Sequence, residues 1–168
     1  MKTNLRITKI ALFIAIAVAL HWSESFIPRP APFLRFGLAN IITLCTLYTF
    51  GGTWALFVVV SRVIIGSALI GGIFTPAFFF SLSGGITAGL IMWWMPKGAF
   101  SPIGVSVVGA LGHMTVQVLL ASLIIQHLSL IHIMPLFILV SIITGMLNGY
   151  CTQIILDVMH RQKRFSSL

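Results

Sequence analysis

Residues 102–126 read PIGVSVVGALGHMTVQVLLASLIIQ, a run of 25 positions without one charged side chain. A helix needs about 17–25 predominantly apolar residues to cross the hydrocarbon core of a bilayer. The stretch therefore predicts a membrane-spanning helix. Similar apolar runs, divided by proline- and glycine-containing turns, lie on either side of it. Together they predict an all-α integral membrane protein.

Six such runs can be separated along the chain, and short loops connect them. We expect a single transmembrane domain, residues 1–168, folded as a compact bundle of six antiparallel helices. The predicted spans cover approximately residues 7–23, 36–50, 54–70, 76–95, 102–126 and 133–157.

Composition excludes several classes of protein. Of the 168 residues, 58% are hydrophobic and only 12 are charged, being 10 Lys or Arg and 2 Asp or Glu. Soluble domains carry about 25% charged residues, so a soluble enzyme, a disordered chain and a disulfide-stapled fold are excluded. Cys45 and Cys151 lie in apolar runs, and their spacing indicates no redox or metal role.

The net charge of +8 does not indicate a nucleic-acid surface, because the basic residues lie at the ends of apolar runs. The positive-inside rule then predicts an even number of spans with both termini in the cytoplasm of a bacterium, in its plasma (inner) membrane. The basic residues expected on the inner side are Lys2, Arg6, Lys9, Lys97, Arg161, Lys163 and Arg164. The first 22 residues also imitate a signal peptide, but we expect them to remain as the first span.

Small residues at a spacing of four mark three helix faces where another helix can approach closely. Ala11, Ala15 and Ala19 form such a face on the first span, and packing within the chain and docking of a partner remain equally open for it. Two GxxxG pairs, Gly85/Gly89 and Gly145/Gly149, favour internal packing, although a homodimer through them remains possible.

Polar side chains within the spans are expensive in hydrocarbon, so each is a hypothesis for a functional site. The predicted depths gather them in the outer half of the bundle. One interpretation is a pocket that opens outward and binds a small polar or anionic ligand. The others are a structural ion pair of Glu24 with Arg62, an interhelical hydrogen bond from His113 or Gln117, and a helix cap or a cross-link between helices at Asn40. The residues predicted to bind ligand are Glu24, Arg35, Asn40, Arg62, His113 and Gln117. No metal site or cofactor is expected, since the histidine spacing near His127 and His132 is a weak signal.

Several short motifs follow one another in a recognisable order: ESFIP at 24–28, RFGLANI at 35–41, RVIIGS at 62–67, SLSG at 81–84 and SVVGALGHMTVQ at 106–117. This ordered set resembles the Gx transporter family, also labelled heptaprenyl diphosphate synthase component I, over about residues 5–155.

The resemblance implies a fold similar to the substrate-binding S components of energy-coupling factor transporters. Such proteins bind a vitamin or related small molecule outside the cell. They dock through an AxxxA face of their first helix onto a coupling protein that ABC ATPases drive. Ala11, Ala15 and Ala19 match that face, and the predicted partners are a coupling protein, ABC ATPases and a small-molecule ligand.

Two other functions remain open. The chain has only two acids, Glu24 and Asp157, expected on opposite membrane faces, whereas prenyl chain elongation needs carboxylate clusters that hold Mg²⁺. The protein is therefore not expected to be an enzyme, although it remains a candidate accessory subunit of prenyl diphosphate or quinone biosynthesis. A secondary carrier acting alone is less favoured, because 168 residues show no inverted repeat.

Overall fold

The computed structural model describes residues 2–27, 37–95 and 98–165, and the side chains within them except those of 2–4, 128 and 163–165. Within these residues the chain forms six α-helices and a short 3₁₀ helix, Leu128–Ile133, and no strand. The α-helices are α1 (Lys2–Glu24), α2 (Asn40–Phe50), α3 (Gly52–Leu69), α4 (Pro76–Trp94), α5 (Pro102–Ile125) and α6 (Met134–Phe165).

Five of the described helices are long and apolar enough to cross a membrane, namely α1, α3, α4, α5 and α6. The predicted fold class, a helical bundle in a membrane, is confirmed. The chain is a multi-pass membrane protein. Each of these five helices buries one side in the bundle and leaves large apolar side chains such as Leu119 and Leu139 on the outside, as expected where lipid rather than water surrounds the helices.

Helix α2 differs from the predicted span at residues 36–50. It has 11 residues, which gives a length of about 16 Å, roughly half the thickness of the hydrocarbon core. It contacts each of the other five α-helices, so it lies in the middle of the bundle. Its threonine hydroxyls donate to backbone carbonyls one turn back, as in the bond of 2.7 Å that Thr46 Oγ1 donates to Ile42 O. That back-bonding satisfies polar groups where no water reaches them.

The two GxxxG pairs pack inside the chain. A Cβ added at Gly149 would lie 2.5 Å from Ile103 Cα, so α6 approaches the backbone of α5 directly. On α4, a Cβ at Gly89 would lie 2.8 Å from the Leu56 side chain of α3. Gly145 and Gly85 make the corresponding contacts one turn away. These faces are used for internal packing, which was one of the two interpretations of the motif.

The antiparallel course brings the C-terminal ends of α1, α3 and α5 together with the N-terminal ends of α2, α4 and α6. We call this side of the bundle the Glu24 end, after the residue that closes α1. Helix α6, with 32 residues, is longer than its predicted span, and carries Asp157 and Arg161 away from the Glu24 end.

Candidate functional site

A group of buried polar side chains in the interior of the bundle is organised around the backbone of Gly37. Its N–H donates a hydrogen bond of 2.6 Å to Glu24 Oε1 at the end of α1. Its carbonyl oxygen accepts bonds from Asn40 N at 2.8 Å and from Asn148 Nδ2 of α6 at 3.1 Å. One peptide segment therefore ties together α1, α2 and α6.

Gly37 has a φ of +74°, which a residue with a Cβ adopts only at a cost. Space is also tight, because a Cβ at this position would lie 2.8 Å from Asn40 Nδ2. Glycine is thus required here both by the backbone conformation and by the close approach of Asn40.

We call Gly37 and its hydrogen-bond partners the Gly37 hub. Asn40 connects this hub to α3. Its Oδ1 accepts a hydrogen bond of 2.7 Å from Arg62 Nη2, and both side chains are buried, Arg62 with 2% of its surface exposed. A Cβ at Gly85 of α4 would lie 3.4 Å from Arg62 Nη2, so a small residue there makes room for the guanidinium. A charge-assisted bond of this length stabilises a cation that would otherwise be expensive to bury.

His113 reaches the same region from α5. Its ring lies directly on the backbone of Gly84, where a Cβ would be 2.9 Å from the ring Cε1 and 3.0 Å from each ring nitrogen. The ring Cε1 is also 3.9 Å from the Cβ position of Gly37. Because of this short distance, the imidazole borders the Gly37 hub, and it is buried there.

The structure brings together four of the six residues predicted to bind ligand: Glu24, Asn40, Arg62 and His113. Gln117 is one helical turn beyond His113, and its Nε2 donates a bond of 3.3 Å to Phe80 O of α4, the geometry of an interhelical hydrogen bond. Arg35 lies outside the described residues.

Glu24 and Arg62 do not form the ion pair that was one interpretation of the sequence, as far as the described contacts extend. The carboxylate bonds to the Gly37 N–H and the guanidinium to the Asn40 side chain. The two side chains are instead connected indirectly, by successive hydrogen bonds between Glu24 and Gly37, between Gly37 and Asn40, and between Asn40 and Arg62.

Sequence reasoning missed three members of this region. Gly37 acts through its backbone and Gly84 through the absence of a Cβ, and neither carries a side-chain signal. His21 is buried against Gly66 of α3, where a Cβ would lie 2.6 Å from its Cδ2. The spacing of His21 and Glu24 on one face of α1 was the available sign that His21 turns inward.

A cavity of about 390 Å³ opens at the Glu24 end between α1, α3 and α4. Its described lining includes Ser25, Phe26, Ser67, Thr75 and Phe78. None of the six residues predicted to bind ligand belongs to that described lining. At the opposite end, a groove of similar size is lined by Leu90, Ile91, Trp93 and Trp94.

The alanine face of α1 differs from the two glycine faces. Ala11, Ala15 and Ala19 are all exposed, and Leu12 beside them is 58% exposed. Packing within this chain therefore leaves this small-residue face open.

These features define a multi-pass helical membrane protein with a buried polar network that reaches from Glu24 into the middle of the bundle. The sequence profile of the heptaprenyl diphosphate synthase component I family matches residues 13–155, and the chain belongs to that family. The match confirms the heptaprenyl diphosphate synthase component I label inferred from the motifs, and does not extend to the resemblance to energy-coupling factor transporters. Comparison with curated proteins and with solved structures finds no match.

Proposed function

We propose that this protein is the substrate-binding membrane subunit of an importer in which other chains hydrolyse ATP, similar to an S component of an energy-coupling factor transporter. The observation that carries the proposal is the exposed face of Ala11, Ala15 and Ala19. In lipid, helices associate through close packing of small residues. The glycine faces are filled from within the chain, whereas the alanine face is open to a coupling protein.

The buried polar network around Gly37 supports a ligand site on the same subunit. Buried polar groups in a membrane protein mark binding sites and pathways more often than they serve packing alone. Glu24, Arg35, Asn40, Arg62, His113 and Gln117 would line or gate a pocket for a small molecule such as a vitamin, cofactor or isoprenoid precursor. The Gly37 hub fixes three helices to one another, which suits a subunit that tilts as a whole against its coupling partner.

Orientation follows from charge. Arg6 and Lys9 lie near the start of α1, and Arg161 lies near the end of α6. With both termini in the cytoplasm, the Glu24 end faces outward, where an importer meets its substrate. The proposed location is the inner membrane of a bacterium, and this charge distribution supports the orientation.

A second candidate function is a non-catalytic membrane accessory of prenyl diphosphate or quinone biosynthesis. The family's description, a component of a heptaprenyl diphosphate synthase, favours it. The two acids support an accessory rather than a catalytic role. Glu24 is bonded to Gly37 N, and Asp157 lies nine residues beyond Asn148 on α6, about 14 Å further along the helix. Two carboxylates so placed do not form a joint Mg²⁺-diphosphate site.

Affinity purification of the tagged protein from native membranes in mild detergent, followed by mass spectrometry, separates the two candidates. An importer subunit brings down a membrane coupling protein and ABC ATPases. Recovery of a prenyl synthase or a quinone enzyme without ATPases would overturn the importer proposal in favour of the accessory subunit.

A further inference from the structure

We propose that the cavity at the Glu24 end, between α1, α3 and α4, binds a neutral amphiphile whose head group donates hydrogen bonds. The cavity volume of about 390 Å³ lies near the lower end of the range for small-molecule sites, about 300–1,000 Å³. It is large enough for a head group and the first part of a chain. This inference concerns the isolated subunit and does not rest on the importer function.

Two of the three hydroxyls in the described lining, those of Ser25 and Thr75, favour a ligand that donates hydrogen bonds. Ser25 Oγ donates to Trp22 O at 2.6 Å, and Thr75 Oγ1 donates to Gly72 O at 2.7 Å. A hydroxyl has one proton and two lone pairs. Because both protons are directed to backbone carbonyls, the oxygens are left as acceptors. A ligand that supplies an O–H or N–H group complements them.

The charge of the described lining favours a neutral ligand. Among the described lining residues none is Asp, Glu, Lys, Arg or His. From these residues an anion such as a diphosphate would gain no cation in exchange for its lost hydration, and burial of an unpaired charge is strongly unfavourable. A neutral alcohol or amide avoids that cost.

The apolar side chains indicate that the ligand also has an apolar body and enters from the lipid. Phe26 and Phe78 contribute aromatic surface to the lining. Phe26 is 68% exposed, and Ile70, another lining residue, is 43% exposed. Phe74, which packs edge-on against Phe78 at 5.9 Å, is 78% exposed. In a membrane protein, exposed apolar residues lie where lipid can reach them, which favours entry of the ligand from the lipid.

The test uses three matched probes: farnesol, farnesyl diphosphate and the corresponding hydrocarbon, farnesane. Binding to the purified full-length protein in detergent is measured by native mass spectrometry and by the shift in melting temperature. We expect farnesol to bind at least ten-fold more tightly than either of the other two. If farnesane binds as tightly as farnesol, the cavity only contacts lipid without recognising a head group. If farnesyl diphosphate binds more tightly than farnesol, the cavity is an anion site. Either result overturns the proposal.

Two variants place the binding in this cavity. Ala77→Leu fills the space beside Phe78 and should weaken farnesol binding at least ten-fold, whereas Ala68→Leu on the exposed side of α3 should leave it unchanged. Thr75→Val removes one acceptor and should weaken farnesol binding several-fold without affecting farnesane. Since Thr75 makes no side-chain cap bond to α4, this variant keeps the test available if Ala77→Leu does not fold. Unchanged farnesol binding in a folded Ala77→Leu or Thr75→Val protein would contradict the proposal.

Discussion

Arg62 Nη2 and Asn40 Oδ1 are joined by a hydrogen bond of 2.7 Å in the interior of the bundle. The bond connects the middle of α3 to the first residue of α2, the short helix that contacts every other α-helix. Through Asn40 and Gly37 it continues to Glu24 on α1 and Asn148 on α6. The position of α2 in the bundle is therefore set by polar contacts at its N-terminal end as well as by apolar packing along its length.

A double-mutant cycle tests this bond. Asn40→Ala and Arg62→Gln should each lower the unfolding free energy in detergent. The double variant should lose less than the sum, with a coupling of about 1–2 kcal/mol for a buried bond to a charged group. The control cycle pairs Arg62→Gln with Gln117→Ala, because Gln117 bonds to Phe80 O instead, and should be additive within about 0.5 kcal/mol. Equal coupling in the two cycles would show that the Asn40–Arg62 contact has no specific energetic role.

Gly37→Ala should destabilise the protein more than Gly71→Ala does. Both glycines have a similar positive φ, +74° and +71°, but a Cβ at Gly71 meets nothing within 4 Å, whereas one at Gly37 meets Asn40. The backbone strain, about 1–2 kcal/mol, is common to both variants. Displacement of Asn40 is added only at Gly37, so we expect at least twice the loss of unfolding free energy. Equal losses of melting temperature would mean that Asn40 moves aside freely.

Gly149→Ala should separate α6 from α5. The added Cβ meets the backbone of Ile103 at 2.5 Å, and a backbone cannot move aside as a flexible side chain can. We expect a loss of about 1–3 kcal/mol, typical of overpacking. Gly104→Ala on α5 is the matched control, since its Cβ would meet its nearest neighbour at 3.8 Å. The control should be neutral or slightly stabilising, because alanine favours the helix. Similar thermal stability of the two variants would contradict close α5–α6 packing at Gly149.

The sequence predicts the long helices well, because hydropathy over 18 or more residues reports transfer into lipid. It predicts α2 poorly. A helix buried among other helices and a helix in lipid are both apolar on all sides, so the run at 36–50 resembled its neighbours in composition. Similarly, the spacing of Gly145 and Gly149 predicts close approach of a helix but does not specify which helix approaches.

The candidate site could be predicted only in part for a related reason. Depth along the predicted spans placed Glu24 and Arg62 near one another, and opposite charge suggested a direct pair. In the structure, Gly37 is the partner of Glu24, and Asn40 is the partner of Arg62, so the two charged side chains are bonded to different groups. A backbone hub such as Gly37 depends on the path of the chain between α1 and α2, which side-chain patterns do not encode.

The central claim is that the exposed alanine face of α1 binds a coupling protein, and Ala15→Trp tests it most directly. The wild type, Ala15→Trp and Ala68→Trp, a control at another exposed alanine, are purified in parallel from native membranes, and co-purified partners are quantified by mass spectrometry. The account predicts that Ala15→Trp keeps the wild-type melting temperature and loses at least 90% of the coupling protein and ATPases, a change of about ten-fold, while Ala68→Trp retains them. Full retention of those partners by Ala15→Trp would contradict it.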